Sequence, residues 1–256
     1  MTAVRRMRRA TRMLALASAT TLGCHDVVIG TFGGSSGDAS GGGGSSSGGT
    51  GGSETTGGAL LPGECIEAPF DDAPLDPQLW ATWADGDALV TSGNGVLTLR
   101  PPSGAELGTG VVLLQDHAVA FDAAHTILEV ITPPDPTSDS ELFLQVTQQV
   151  PPTDAVLALG LRADTVIATA RGDDGTQSLF EPVATGTPRW IGLRVADGTA
   201  YFETSEDGVA WTIVASVPSP SDFVGASPLV MVWNNAGAGV SDPQPVVVDG
   251  WEICAD

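Results

Sequence analysis

Apolar and polar positions alternate in short runs from about residue 88 to the end of the chain, with turn residues between them. The runs are Ala88–Val90, Val96–Arg100, Val111–Gln115, Thr126–Thr132, Glu141–Gln148, Val156–Arg162 and Thr165–Ala170. They continue as Ser178–Val183, Trp190–Ala196, Thr199–Thr204, Trp211–Ser216, Leu229–Trp233 and Val246–Cys254. A period of two is the mark of strands with one face buried. Leu75–Leu79 is the one place where a helical turn fits. About a dozen strands without helices predict an antiparallel sandwich or barrel.

One hairpin can be registered from the pattern alone. Ile191, Leu193 and Val195 alternate with Trp190, Gly192, Arg194 and Ala196, and Asp197-Gly198 follows. Asp-Gly between two alternating runs is a two-residue type I′ turn signal. That turn pairs Val195 with Ala200 and Leu193 with Phe202 on one face. It pairs Arg194 with Tyr201 and Gly192 with Glu203 on the other. Ser205-Glu206-Asp207-Gly208 then turns the chain into the next strand.

The N-terminal quarter reads differently. Residues 31–58 are almost entirely Gly, Ser and Thr, with too little apolar surface to offset the entropy cost of ordering. Such a segment is expected to reach roughly 30 Å as a flexible coil. Before it, Arg5, Arg6, Arg8, Arg9 and Arg12 precede the apolar stretch Met13–Leu22, which is too short to span a bilayer. A basic start, a short apolar core and a small residue before the cut describe a secretory signal. The residues Thr21-Leu22-Gly23-Cys24 resemble a bacterial lipoprotein signal, although Leu stands one place later than that family has it. The resemblance implies cleavage before Cys24 and lipidation of Cys24. The expected organisation is residues 1–23 as signal, 24–60 as lipidated N-terminus and tether, and 61–256 as one β-domain.

Charge narrows the partners. The chain carries a formal net charge of −21, which becomes −26 once the five N-terminal arginines are removed. So acidic a surface repels nucleic acid and anionic headgroups, leaving a lipid anchor as the expected link to a membrane. If Cys24 carries lipid, Cys65 and Cys254 remain as an even pair in an oxidising compartment. A bridge between them would tie the first strand to the last.

The stretch from Arg189 to Val214, with its W-I-x-L-R, D-G and D-G-x-x-W elements, is similar to hairpins of concanavalin A-like (laminin G/lectin/glucanase-type) jelly rolls. Pro69-Phe70-Asp71-Asp72 with Leu79-Trp80 resembles their opening, and Val246–Ile253 their closing strand. The resemblance spans about residues 64–254. It implies two packed antiparallel sheets and a concave face that holds sugar in many members.

Candidate chemistry is sparse. Ser205 to Trp211 nearly matches a sialidase Asp-box, a structural turn. Retaining glycosidases need two carboxylates about 5–5.5 Å apart. The E-x-D-x-x-E string of laminarinase-type jelly rolls is absent, and Glu129 and Glu141 stand alone. These residues therefore speak against an enzyme. Asp71, Asp72 and Asp249 would share a neighbourhood if the cysteines pair, and could offer oxygen ligands to calcium. Trp190, Trp211 and Trp251 sit within strand patterns and read as packing. Trp83, and Trp233 with Asn234 and Asn235, combine an aromatic ring with polar neighbours, as a surface that stacks on and hydrogen-bonds a sugar does. The expected function is a lipid-anchored, surface-displayed module that binds carbohydrate. The alternatives are a structural envelope protein without a small ligand and, last, a glycoside hydrolase.

Overall fold

The computed structural model describes residues 60–256 except 61, 69, 72–74, 104–106, 139, 150, 163, 181, 185 and 235–243. The signal and tether readings, Cys24 included, fall outside the described residues.

The described chain is all-β. In order its strands are β1 (Cys65–Glu67), β2 (Trp80–Ala84), β3 (Leu89–Gly93), β4 (Val96–Arg100), β5 (Leu107–Leu113) and β6 (Ala124–Thr132). There follow β7 (Ser140–Gln149), β8 (Pro152–Arg162), β9 (Thr165–Arg171), β10 (Gln177–Leu179) and β11 (Val183–Ala184). The last five are β12 (Trp190–Ala196), β13 (Thr199–Ser205), β14 (Trp211–Pro218), β15 (Ala226–Asn234) and β16 (Val246–Ala255). The only helical segment among the described residues is one 3-10 turn at Gln115–His117. No described helix is long and apolar enough to cross a membrane.

Two antiparallel sheets form a sandwich. The first runs β14-β13-β12-β6-β16-β4-β3, with β1 paired to β16. The second runs β10-β9-β8-β7-β15-β5-β2, with β11 paired to β9. Alternation decides what each strand buries. In β7, Leu142, Leu144 and Val146 point into the core, and in β12 Ile191, Leu193 and Val195 do so. Trp80 and Trp251 meet there with ring centroids 4.6 Å apart. The indole N–H of Trp251 donates to Thr126 Oγ1 at 3.0 Å, so its one polar atom is satisfied in the interior.

The β12–β13 hairpin has the register that its turn demands. Val195 faces Ala200, Leu193 faces Phe202, Arg194 faces Tyr201 and Gly192 faces Glu203. Asp197 and Gly198 take φ of 50° and 69°, the left-handed pair of a type I′ turn. Level with Arg194 at the same end of the sheet, Cys65 and Cys254 stand opposite each other on β1 and β16 and form a disulfide. It closes a loop of 189 residues. Such a loop stabilises by about 5 kcal/mol in the chain-entropy model.

Two segments depart from the sequence pattern. Ser178–Val183 is not one strand. β10 and β11 pair separately with β9, and Pro182 between them has no N–H for the ladder. β5 begins at Leu107, well before the apolar run at Val111, and passes through Gly108 and Gly110. Glycine is a poor strand former, and this early start has a consequence for the outer face.

Candidate functional site on the outer face of the second sheet

In the second sheet, the residues that alternate with the core set form a continuous outward surface. Register aligns Trp83 with Gly110, Gly110 with Met231, Met231 with Phe143, Phe143 with Gly160 and Gly160 with Ile167. Beside this row Gly108 faces Trp233, and Trp233 faces Glu141. Trp83, Phe143 and Trp233 are half-buried, and none belongs to the core.

Each of these rings rests on a glycine. A Cβ added to Gly110 would lie 2.5 Å from Trp83 Cη2, and one on Gly108 would lie 2.7 Å from Trp233 Cε3. One on Gly160 would lie 2.9 Å from Phe143 Cε1. The glycines let the rings settle against the sheet backbone. At a strand spacing of about 4.8 Å, Trp83 and Phe143 stand three strands and roughly 14 Å apart. Trp83 is held at the end of β2 by Asp85, whose carboxylate accepts the Gly108 N–H at 3.1 Å, and by Thr109, which donates its hydroxyl to the Trp83 carbonyl at 3.0 Å.

The face carries one charged pair among the described residues near these rings. Arg162 Nη2 lies 2.8 Å from Glu141 Oε1, and only 4% of the Glu141 side chain is exposed. Arg162 Nε is buried and has no hydrogen-bond partner among the described residues.

The sequence-derived candidates divide. Trp83 and Trp233 come together on one face, as neighbours two strands apart. Asn234 does not join them, which corrects the expectation that it faces outward beside the ring. The strand alternates, so Asn234 turns to the opposite side, is fully buried, and donates its amide to the Pro102 carbonyl at 2.8 Å. Asn235 lies outside the described residues, as does Asp72. Asp71 is exposed, and Asp249 accepts the N–H of its neighbour Gly250 at 2.6 Å. Among the described residues the only three-membered group with metal-ligating side chains is Cys65, Glu252 and Cys254, whose thiols are already joined in the disulfide. Phe143, Glu141 as a neighbour of Trp233, and the glycine seats escaped the sequence reading. The signal for Gly108 and Gly110 was the parity of β5, hidden because its glycines do not look like a strand; Phe143 meets Gly160 only through the pairing of β7 with β8.

The Asp-box-like segment is a turn. Asp207 accepts the Ala210 N–H at 2.8 Å, the Val209 N–H at 2.9 Å and the Ser205 hydroxyl at 3.1 Å. Those bonds, the two backbone ones foremost, hold its carboxyl below the ordinary aspartate value. Trp251 is core, as its strand pattern implied. Trp190 and Trp211, also read as packing, are half-buried and lie outside the core.

No family model matches the chain, and no curated protein matches it. Solved structures do. A β-glucanase of Bacillus licheniformis superposes with a TM-score of 0.55 at 10% identity, covering 77% of this chain and 100% of its own. A glycoside hydrolase family 16 endo-glucanase of Bacteroides ovatus gives 0.54 at 9% identity, covering 73% and 98%. A Shewanella oneidensis protein of unknown function gives 0.52 at 13% identity, covering 82% and 96%. The shared feature is the concanavalin A-like jelly-roll sandwich. These likenesses correct the expectation that the chain is not an enzyme. The sandwich is one on which glucanases are built.

Proposed function

We propose that the protein recognises a glucan-type carbohydrate on the outer face of the second sheet. The observation that carries this reading is the set of three aromatic rings, Trp83, Trp233 and Phe143, each seated on a glycine of the adjacent strand. Rings on a flat backbone offer an open π-face, and pyranose rings stack on such faces through their C–H surfaces. Arg162, held beside Trp233 by the buried Glu141 carboxylate, supplies N–H donors for hydroxyls. The likeness of the fold to glucanases supports the same ligand class.

Hydrolysis of that glycan is the second reading, favoured by the same glucanase neighbours. Glu141 is the described carboxylate opposite Trp233, and Asp139 stands two positions before it in the sequence, outside the described residues. Release of reducing ends from a β-1,3-1,4-glucan, lost in Glu141→Gln, is the result that would carry it.

The binding reading is tested by Trp233→Ala. Stacking on this ring contributes on the order of 1 kcal/mol. Affinity for soluble β-1,3-1,4-glucan, measured by affinity electrophoresis, should fall several-fold while the melting temperature changes little. Unchanged affinity would remove Trp233 from the site.

We also infer that the protein is exported and held to a membrane through lipid on Cys24, with residues 31–58 as spacer, which rests on the lipoprotein-like signal. Cys24→Ser should move the protein from the detergent phase to the aqueous phase. The same partitioning in both would exclude the anchor.

A further inference from the structure

The first sheet has an outer face of its own, and it too carries indoles on glycine. Register aligns Trp211 with Ser205, Ser205 with Trp190, Trp190 with Glu129 and Glu129 with Asp249. The next row aligns Ile213 with Glu203, Glu203 with Gly192, Gly192 with Ile127 and Ile127 with Glu252. A Cβ on Gly192 would lie 3.1 Å from Trp211 Cζ3 and 3.4 Å from its Cη2, so the Trp211 ring lies across Gly192. Trp190 bridges two glycines. Its ring comes within 3.1 Å of a Cβ placed on Gly208, in the β13–β14 turn, or on Gly250, in the β16 bulge. Among the described residues neither indole stacks on another aromatic ring.

We propose that this face is a second carbohydrate surface, which takes a neutral polyhydroxylated chain across Trp211 and Trp190. The ligand class rests on the reading of the second sheet; the surface shares no residue with it. Charge selects the occupant. Glu129, Glu203, Asp249 and Glu252 surround the two rings. The nearby cations are engaged: Arg189 Nε donates to Glu129 Oε1 at 2.6 Å and Arg194 Nη2 to Glu203 Oε1 at 2.7 Å. Arg194 also sits 4.2 Å from the centre of the Tyr201 ring. Glu129 and Glu203 are buried in those ion pairs, so Asp249 and Glu252 are the carboxylates that offer acceptors, and they leave the face net acidic and unfavourable to anionic polymers. A second copy of the protein fits poorly, because Asp249 and Glu252, in no ion pair among the described residues, would meet their own images. Hydroxyl donors on a neutral sugar satisfy those acceptors without adding charge, and the pyranose faces cover the indoles.

The two faces lie on opposite sides of a sandwich whose sheets pack about 10 Å apart. One short oligosaccharide cannot lie on both, so the molecule bridges two glycan chains.

The chain has 6 tryptophans, which makes the test direct. The full-length protein is labelled with 5-fluorotryptophan, its fluorine signals are assigned by single Trp→Phe substitutions, and a hexasaccharide of β-1,3-1,4-linked glucose is titrated in. Signals of Trp190 and Trp211 should move along one isotherm, and those of Trp83 and Trp233 along another. Trp211→Ala should weaken the first isotherm at least several-fold and leave the second unchanged, which also shows that the variant is folded. Wild type should cross-link and precipitate the parent polysaccharide, and Trp211→Ala should not. If Trp83 and Trp233 respond while Trp190 and Trp211 stay still, the second surface is overturned and the first reading stands. The reverse pattern overturns the first reading and keeps this one. Six unmoved signals overturn both.

Discussion

Trp80 and Trp83 stand three residues apart on β2 and meet opposite environments. Trp80 is 4% exposed and faces Leu113, with Trp251 against its ring. Trp83 is half-buried, faces Gly110 and lies outside the core cluster. An odd separation on a strand reverses the face, so identical side chains are divided between interior and surface. The partner residue then settles the role. Leu113 continues a packed interior, whereas Gly110 provides a floor without side chain. The pair shows that an aromatic in a strand is informative about binding only once its cross-strand neighbour is known.

The comparison is most exposed to a direct exchange. Trp80→Ala should cost about 3–5 kcal/mol of stability, because it opens a large cavity beside Trp251. Trp83→Ala, on the outer face, should cost about 1 kcal/mol or less. Denaturant midpoints of the two variants decide; equal losses would mean that the outer face is packed like the core.

The seat can be filled instead of emptied. A Cβ on Gly110 meets both the Trp83 ring and the Val230 carbonyl at 2.5 Å, so a backbone atom must move as well as a ring. Gly110→Ala should lose about 1–3 kcal/mol. It should also change the near-ultraviolet circular dichroism of the displaced indole. A silent substitution would show that the ring does not rest on this glycine.

The smallest effect concerns the turn beside Trp190. Asp207 has a folded-state pKa below its ordinary value of 3.8. Its bonds therefore contribute stability that is present above that ordinary value and lost as pH falls through the folded one. Asp207→Asn should flatten the acid limb of a melting-temperature profile below about pH 4 and leave the neutral region nearly level. An unchanged acid limb would place the titration in other aspartates, such as Asp87, bonded by Ser103, or Asp174, bonded by Thr176.

Much of the fold was legible in the sequence because it rests on local rules. The alternation of Trp190–Ala196 and the Asp197-Gly198 turn were sufficient to set a register that the structure reproduces pair for pair. Cys65 and Cys254, the pair left at the ends of the domain if Cys24 carries lipid, form the disulfide that was expected of them. The site was legible only in part. Trp83 and Trp233 were visible as aromatics near strand ends, yet Phe143 and the glycine seats were not. Which glycine lies under which ring depends on the pairing of β2 with β5, β5 with β15 and β7 with β8, across separations that no local pattern encodes. Asn234 was misplaced for a local reason: the strand continues through it, so alternation turns it to the opposite side of the sheet from Trp233.

The sequence by itself determined the class of fold and one complete hairpin, because period and turn chemistry act over a few residues. Only the tertiary structure decided that the outward aromatics gather over glycines on two opposite faces. That arrangement depends on the register of strands far apart in the chain, which is set by packing of the whole sandwich.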